Sequence, residues 1–186
     1  MRTNPLALLI ALGTTAASLS CPAPERTTPE LRDVIGVTHV AGTYRLKEGN
    51  FLTEGVDQVI AIGSRVVKLY LSRPAKNYPH GPSWPETKTL VEIARLPAYR
   101  EVFSKPLKTY ILTCYRPGID HHYWRRGVTD RERQDETREL YDLARHLLET
   151  YRGGGKTFVL QHWEGDWALR GSFEPDGVPT AEAIQG

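Results

Sequence analysis

The chain has 186 residues, of which 40% are hydrophobic and 25% charged, and its formal net charge is +2. This length and composition are typical of one globular domain. The small charge and the scattered Lys and Arg residues argue against nucleic acid or an anionic membrane surface as a partner. The chain has only two cysteines, Cys21 and Cys114, which excludes a disulfide framework and a CxxC metal site.

Residues 1–20 have the pattern of a secretory signal peptide. A basic start at Arg2 precedes the apolar run Leu6–Leu12, and small residues follow up to Ser20. The run is too short to cross a bilayer, which takes about 20 residues. We therefore expect an exported protein, in the periplasm, outside the cell or anchored by lipid at the cell surface.

Cys21 leaves two alternatives open. It either carries a lipid, which would be the only predicted membrane contact, or simply follows a cleavage site. Residues 21–30 contain three prolines, so we interpret them as a linker. The folded domain is then expected over residues 31–186.

Strand-like and helix-like segments alternate along this domain. Short runs rich in apolar and β-branched residues predict four strands, at Val34–Val40, Val66–Leu71, Leu107–Tyr115 and Thr157–Trp163. Apolar residues spaced three and four apart predict helices between them, at Phe51–Ile62, Leu90–Tyr99 and Asp130–Arg152. Pro97 is expected to limit or kink the second helix, and Gly153–Gly155 to end the third.

This alternation predicts an α/β fold with a parallel sheet of about four βα units. The apolar strands are expected to be buried on both faces. Two architectures fit, an open doubly wound sheet and part of a (β/α)8 TIM barrel. In both, ligands bind beyond the carboxyl ends of the strands.

The lengths of the loops and their aromatic residues predict at which end of the sheet the functional site lies. Connections after helices are short, whereas those after strands are long, at Ala41–Asn50, Ser72–Thr87 and Arg116–Thr129. These loops contain the aromatic residues Tyr44, Tyr78, Trp84, Tyr123 and Trp124. Long aromatic loops at one end indicate a binding face. The alternative is that the loops pack on their own aromatic side chains.

Three motifs are excluded as cofactor or metal sites. Gly153-Gly154-Gly155-Lys156-Thr157 precedes a strand, whereas a phosphate loop follows a strand and opens a helix. The adjacent His121 and His122 would point apart on an extended segment. No glycine-rich dinucleotide fingerprint follows the first strand. We therefore expect neither a metal nor a cofactor.

Parallel strands would bring His39, Tyr70, Tyr115 and Glu164 to one edge, with Cys114 beside them as a small buried hydrophobe. Strand alternation puts Phe158, Leu160, His162 and Glu164 on one face. Trp163 or Trp167 would then form a wall beside Glu164, and Trp124 would add a ring from its loop. Apolar walls raise the pKa of a carboxyl group, which suits a general acid. Asp166 is expected to support the loop.

An exported chain with a glutamate at the end of its fourth strand resembles the clan A glycoside hydrolases, which are (β/α)8 barrels. Across about residues 34–171, the resemblance implies that Glu164 is the acid/base. Trp163 stands where the clan has an asparagine that binds the sugar 2-hydroxyl. The resemblance also implies a nucleophile on a seventh strand, for which this chain has no candidate. The segment Trp163-Glu164-Gly165-Asp166-Trp167 is also similar to uncharacterised exported bacterial barrels related to the clan.

The sequence therefore predicts the N-terminal half of a glycosidase-like barrel, apparently truncated, with Glu164 as general acid/base. Pro179–Gln185 would start a fourth helix. A non-catalytic carbohydrate-binding or cell-surface protein is the alternative, and a fragment without independent function is the third. Uncovered sheet edges would favour self-association.

Overall fold

The computed structural model describes residues 30–40, 49–81, 83–120, 123–161, 169–170 and 174–185. The predicted signal peptide and the predicted linker up to residue 29 therefore lie outside the described residues. In the described ranges, no helix has both the length and the apolar character needed to cross a bilayer.

The described chain is an α/β domain whose strands and helices follow one another as the sequence predicts. Its strands are β1 (Gly36–Thr38), β2 (Val66–Leu71), β3 (Thr109–Cys114) and β4 (Thr157–Gln161). Its helices are α1 (Phe51–Ala61), α2 (Pro74–Asn77), α3 (Leu90–Ala94), α4 (Pro97–Ser104), α5 (Asp130–Thr150) and α6 (Ala181–Gln185). Short 3-10 helices cover Leu31–Asp33 and Tyr123–Arg126.

The strands form a single sheet in the order β1-β2-β3-β4, and every neighbouring pair is parallel. The prediction of a parallel α/β sheet is therefore confirmed. The order follows the chain in one direction, without the reversal that marks a doubly wound sheet. Because parallel crossovers are almost always right-handed, a one-way order puts successive helices on the same face.

The hydrophobic core confirms that one face of the sheet carries the helices. In β2 the core residues are Val67, Leu69 and Leu71, and in β3 they are Tyr110, Leu112 and Cys114. Each set has every second residue, so it lies on one side of its strand. These side chains pack with buried residues of α1, α3, α4 and α5. We call this side the helix-covered face and the other the open face.

The expectation that all strands are buried on both faces was wrong. All three residues of β1 are exposed, as are Thr157 and Val159 of β4. These outer strands each have one neighbour in the sheet, and the described helices cover only one face.

The predicted helix Leu90–Tyr99 is divided before Pro97. Because α3 already ends at Ala94, this proline limits the helix, one of the two expected effects, and does not kink it. Pro97 occupies the first turn of α4, where its missing N–H costs nothing. The short α6 lies within the predicted fourth helix and packs against the 3-10 helix Tyr123–Arg126.

Candidate functional site

The carboxyl ends of the parallel strands meet at one edge of the sheet, and three of the predicted site residues lie there. Tyr70 is the fifth residue of β2, Tyr115 directly follows β3, and His39 directly follows β1. The structure thus brings these three elements of the predicted site to one rim. It gives each of them a different environment.

His39 is part of the packing between the sheet and α1. Only 6% of the residue is exposed, and its Nε2 lies 2.8 Å from the carbonyl oxygen of Phe51. The ring centroids of Phe51 and Tyr78 lie 4.7 and 5.5 Å away. Burial lowers the pKa of His39, and the hydrogen bond to Phe51 opposes that shift. This position favours a structural role over contact with a substrate.

The lowered pKa of His39 predicts a loss of stability in mild acid. The unfolded chain binds a proton near the ordinary value of 6.5, more tightly than folded His39 does. The free energy of unfolding should therefore be fully retained above pH 6.5 and fall as the pH drops below it. We expect His39→Gln to flatten this dependence in urea titrations between about pH 5 and 8.

His146 provides the control, because partial burial and Arg95 also lower its pKa. His146→Gln should keep the larger part of the pH dependence, since His146 is less buried than His39. If the free energy of unfolding of His39→Gln falls with decreasing pH as steeply as that of the wild type, another group controls the loss of stability in acid.

Tyr70 and Tyr115 lie on the open face with Thr113. The sheet register pairs Tyr70 with Thr113 and Thr113 with Gln161. The rings of Tyr70 and Tyr115 meet edge to face, with centroids 6.4 Å apart. Thr113 is 2% exposed, and its Oγ1 has no hydrogen-bond partner among the described residues. A buried hydroxyl without a partner is costly, so this position is suited to a polar ligand or a bound water.

Arg73 joins this group from the turn after β2. Its Cζ lies 5.5 Å from the centroid of the Tyr115 ring, a cation–π contact. We call Tyr70, Arg73, Thr113 and Tyr115 the rim cluster. Sequence reasoning predicted the two tyrosines and missed Arg73 and Thr113. Strand alternation gave the available signal for Thr113, two residues before Tyr115.

The turn that carries Arg73 is built from buried hydrogen bonds. Asn77 Nδ2 donates to the Ser72 carbonyl oxygen at 2.5 Å and to Ser72 Oγ at 3.1 Å. The Tyr78 hydroxyl accepts from Tyr70 N at 2.9 Å and donates to the His39 carbonyl at 3.2 Å. Desolvation raises the pKa of the fully buried Tyr78 well above its ordinary value. These contacts join the ends of β1 and β2, so the turn has a defined position.

Two aromatic residues of the predicted binding loops pack inward. Tyr78 is fully buried, and Trp84 donates its Nε1–H to the Tyr78 carbonyl at 2.9 Å. The Trp84 ring also contacts Tyr99, with centroids 6.0 Å apart. For these residues, the alternative of loops packed on their own aromatic side chains is the better description.

Cys114 and Arg116 point to the other side of β3. Burial raises the pKa of the Cys114 thiol to about 12, with Glu136 adding to the shift. The thiol therefore stays protonated, as expected for a buried hydrophobe rather than a nucleophile. The Nη2 of Arg116 lies 3.8 Å from Asp135, while its buried Nη1 has no hydrogen-bond partner among the described residues.

Several predicted site residues lie outside the described residues. They are Trp163, Glu164, Asp166 and Trp167. The loop histidines His121 and His122, which the sequence excluded as a metal site, also lie outside the described residues. The side chain of Trp124 is likewise not described, although its backbone belongs to the 3-10 helix. Within the described part of β4, Phe158 and Leu160 pack against the core on the helix-covered face.

The glycine-rich turn before β4 lies at the opposite edge of the sheet. Lys156 donates its ammonium group to the carbonyl oxygens of Lys105 at 2.6 Å and Leu107 at 3.4 Å. It also lies 5.3 Å from the Tyr110 ring centroid. Lys156 thus ties β4 to the start of β3 rather than cradling a phosphate. Within the described ranges, no three His, Cys, Asp or Glu side chains come together as metal ligands.

The fold and the rim cluster define a class of protein, an α/β domain with a one-way parallel sheet and an aromatic, polar rim at its carboxyl edge. Comparisons with protein-family models, with curated proteins and with solved structures find no match to this chain.

Proposed function

We propose that this chain is an exported, glycoside-hydrolase-like protein that acts on or binds carbohydrate at the carboxyl edge of its sheet. The observation that carries the proposal is the one-way order of four parallel strands with helices on one face. This arrangement is compatible with half of a (β/α)8 barrel, a fold whose ligands bind at the carboxyl edge. The open face would correspond to the barrel interior.

The rim cluster supports carbohydrate as the ligand. Sugars present both C–H faces, which pack on aromatic rings, and hydroxyl groups, which need hydrogen-bond partners. Tyr70 and Tyr115 provide rings beside the buried hydroxyl of Thr113. The described part of this cluster contributes no carboxylate. In the proposed mechanism Glu164 supplies the acid/base group, assisted by the aromatic residues Trp124, Trp163 and Trp167 and by Asp166.

The test separates catalysis from binding. Hydrolysis of aryl glycosides and binding to polysaccharides should be measured for the wild type, Glu164→Gln and the exposed control Glu86→Gln. If Glu164 is the acid/base, Glu164→Gln should lower hydrolysis by about 10²–10⁴-fold, while the control keeps the wild-type rate. Equal rates in both variants would remove the catalytic assignment.

A non-catalytic binding protein is the second candidate. It is favoured by β4, because the two residues that share a predicted face with Glu164, Phe158 and Leu160, pack on the helix-covered side. Binding that survives Glu164→Gln but fails in Trp124→Ala or Trp167→Ala would select this function. Trp84→Ala is unsuitable as a binding probe, because Trp84 packs on Tyr99 and would affect stability.

We also propose self-association through the sheet edges. Leu31, Val34 and Ile35, just before β1, are 74%, 56% and 59% exposed. Beside the other edge, Leu148 is 70% and Val159 43% exposed. Parallel edge strands with exposed apolar neighbours favour pairing with another strand. Sedimentation equilibrium should show a dimer that Val159→Lys weakens, and a wild-type protein that stays monomeric would contradict the proposal.

A further inference from the structure

Arg73 has an unusual backbone conformation at the rim of the sheet. Among the described residues it is the only non-glycine with a positive φ, and its φ and ψ are 33° and 63°. This left-handed region is strained for a residue with a Cβ. Pro74 follows and adds to the strain, because a residue before proline favours an extended backbone. Sequence reasoning therefore had no signal for this conformation.

The surroundings of Arg73 hold it in this conformation. Asn77 binds both the carbonyl and the hydroxyl of the preceding Ser72, which is fully buried. On the strand side, the Tyr99 hydroxyl donates to the Tyr70 carbonyl at 2.7 Å. Backbone strain that buried contacts maintain clusters at functional sites. Here the strained residue lies at the ligand-binding edge of a parallel sheet.

The side chain of Arg73 is positioned by the same turn. Its guanidinium lies over the Tyr115 ring, and stacking on a ring orients the planar fork of N–H donors. That fork matches a carboxylate in two parallel hydrogen bonds. Thr113, 2% exposed and two residues before Tyr115, adds a buried hydroxyl without a described partner.

We propose that the rim cluster binds the carboxylate of an acidic sugar, with Arg73 as the residue that determines specificity. Arg73 takes the carboxylate, and Thr113 takes a hydroxyl of the same sugar or its bridging water. This inference rests on the proposed carbohydrate function and names its substrate class.

The binding test compares polygalacturonate with its methyl ester, which keeps the backbone and removes the charge. Calorimetric titration at physiological salt should show at least about tenfold tighter binding of the acid form. Arg73→Gln should abolish this preference, Arg73→Lys should keep part of it, and the exposed control Arg100→Gln should keep all of it. Equal affinity of the wild type for both polymers would overturn the acidic specificity while leaving the carbohydrate function intact. Failure to bind either polymer, or any neutral glycan, would instead remove the proposed function as well.

Arg73→Gly tests the strain independently of folding failure. Glycine adopts this backbone without a steric penalty, so the midpoint of thermal unfolding should rise by about 2–4 °C. The same variant should lose the preference for the acid polymer. An unchanged or lower midpoint would contradict the strain, and retained acid preference would contradict the role of the guanidinium.

Discussion

Gly55→Ala should destabilise the protein by about 2–3 kcal/mol, although alanine usually stabilises the interior of a helix. Gly55 lies in α1 directly against the imidazole of His39, and a methyl group there would overlap the ring. The ring cannot move away easily, because Phe51 and Tyr78 pack around it and the Phe51 carbonyl holds its Nε2. Urea denaturation of the wild type and of Gly55→Ala at pH 7.5 or above, where His39 is neutral, measures the difference in their free energies of unfolding.

The double variant His39→Ala/Gly55→Ala is the matched control. Removal of the imidazole makes room for the methyl group, so Gly55→Ala should become neutral or stabilise by up to about 1 kcal/mol in that background. The sign of the effect therefore changes with residue 39. A similar loss of stability in both backgrounds would show that the ring is not the obstacle.

Phe103→Ala should lower the free energy of unfolding by about 3–5 kcal/mol. Phe103 is fully buried in α4, and its ring meets those of Tyr110 and Phe158 edge to face, each at 5.5 Å. It also contacts Tyr99 and Tyr151 at 6.1 and 5.7 Å. Truncation removes all four contacts and leaves a cavity between α4, β3, β4 and the end of α5.

Phe103→Leu is the control, because it keeps most of the volume and should cost less than about 1.5 kcal/mol. Phe158 is only partly buried and belongs to an edge strand. We therefore expect amide exchange in β4 to rise more than in β2 when Phe103 is truncated. Equal protection losses in both strands would indicate a uniform loss of stability.

The helices show which structural features could be predicted from the local sequence. The periodicity predicted a helix over Asp130–Arg152, and α5 runs from Asp130 to Thr150. Its start is local, because Thr129 and Glu132 form a capping box within one turn. The start of α4 is equally local, at Pro97. Apolar spacing continues across Pro97, and the sequence predicted that this proline would limit or kink one helix. The structure has two helices there, α3 ending at Ala94 and α4 starting at Pro97.

The candidate site, in contrast, contains features that the local sequence did not predict. Tyr70 and Tyr115 were predicted because both lie at the carboxyl end of a predicted parallel strand. Arg73 was not, because Pro74 favours an extended backbone at the residue before it, whereas the structure has Arg73 in the left-handed region. His39 lies at the rim as predicted, but its side chain is buried against α1, where Gly55 leaves room for the ring. Such choices depend on which residues the fold brings together.

The sequence by itself determined the order of strands and helices, their approximate limits and the parallel sheet, because these follow from signals within a few residues and from the need for crossovers. The tertiary structure alone decided the one-way strand order, the single helix-covered face, the exposure of β1 and β4 and the geometry of the rim cluster. The physical reason is that burial and pairing of a strand depend on its neighbours in space. Those neighbours are distant in the chain, so no local sequence pattern indicates them.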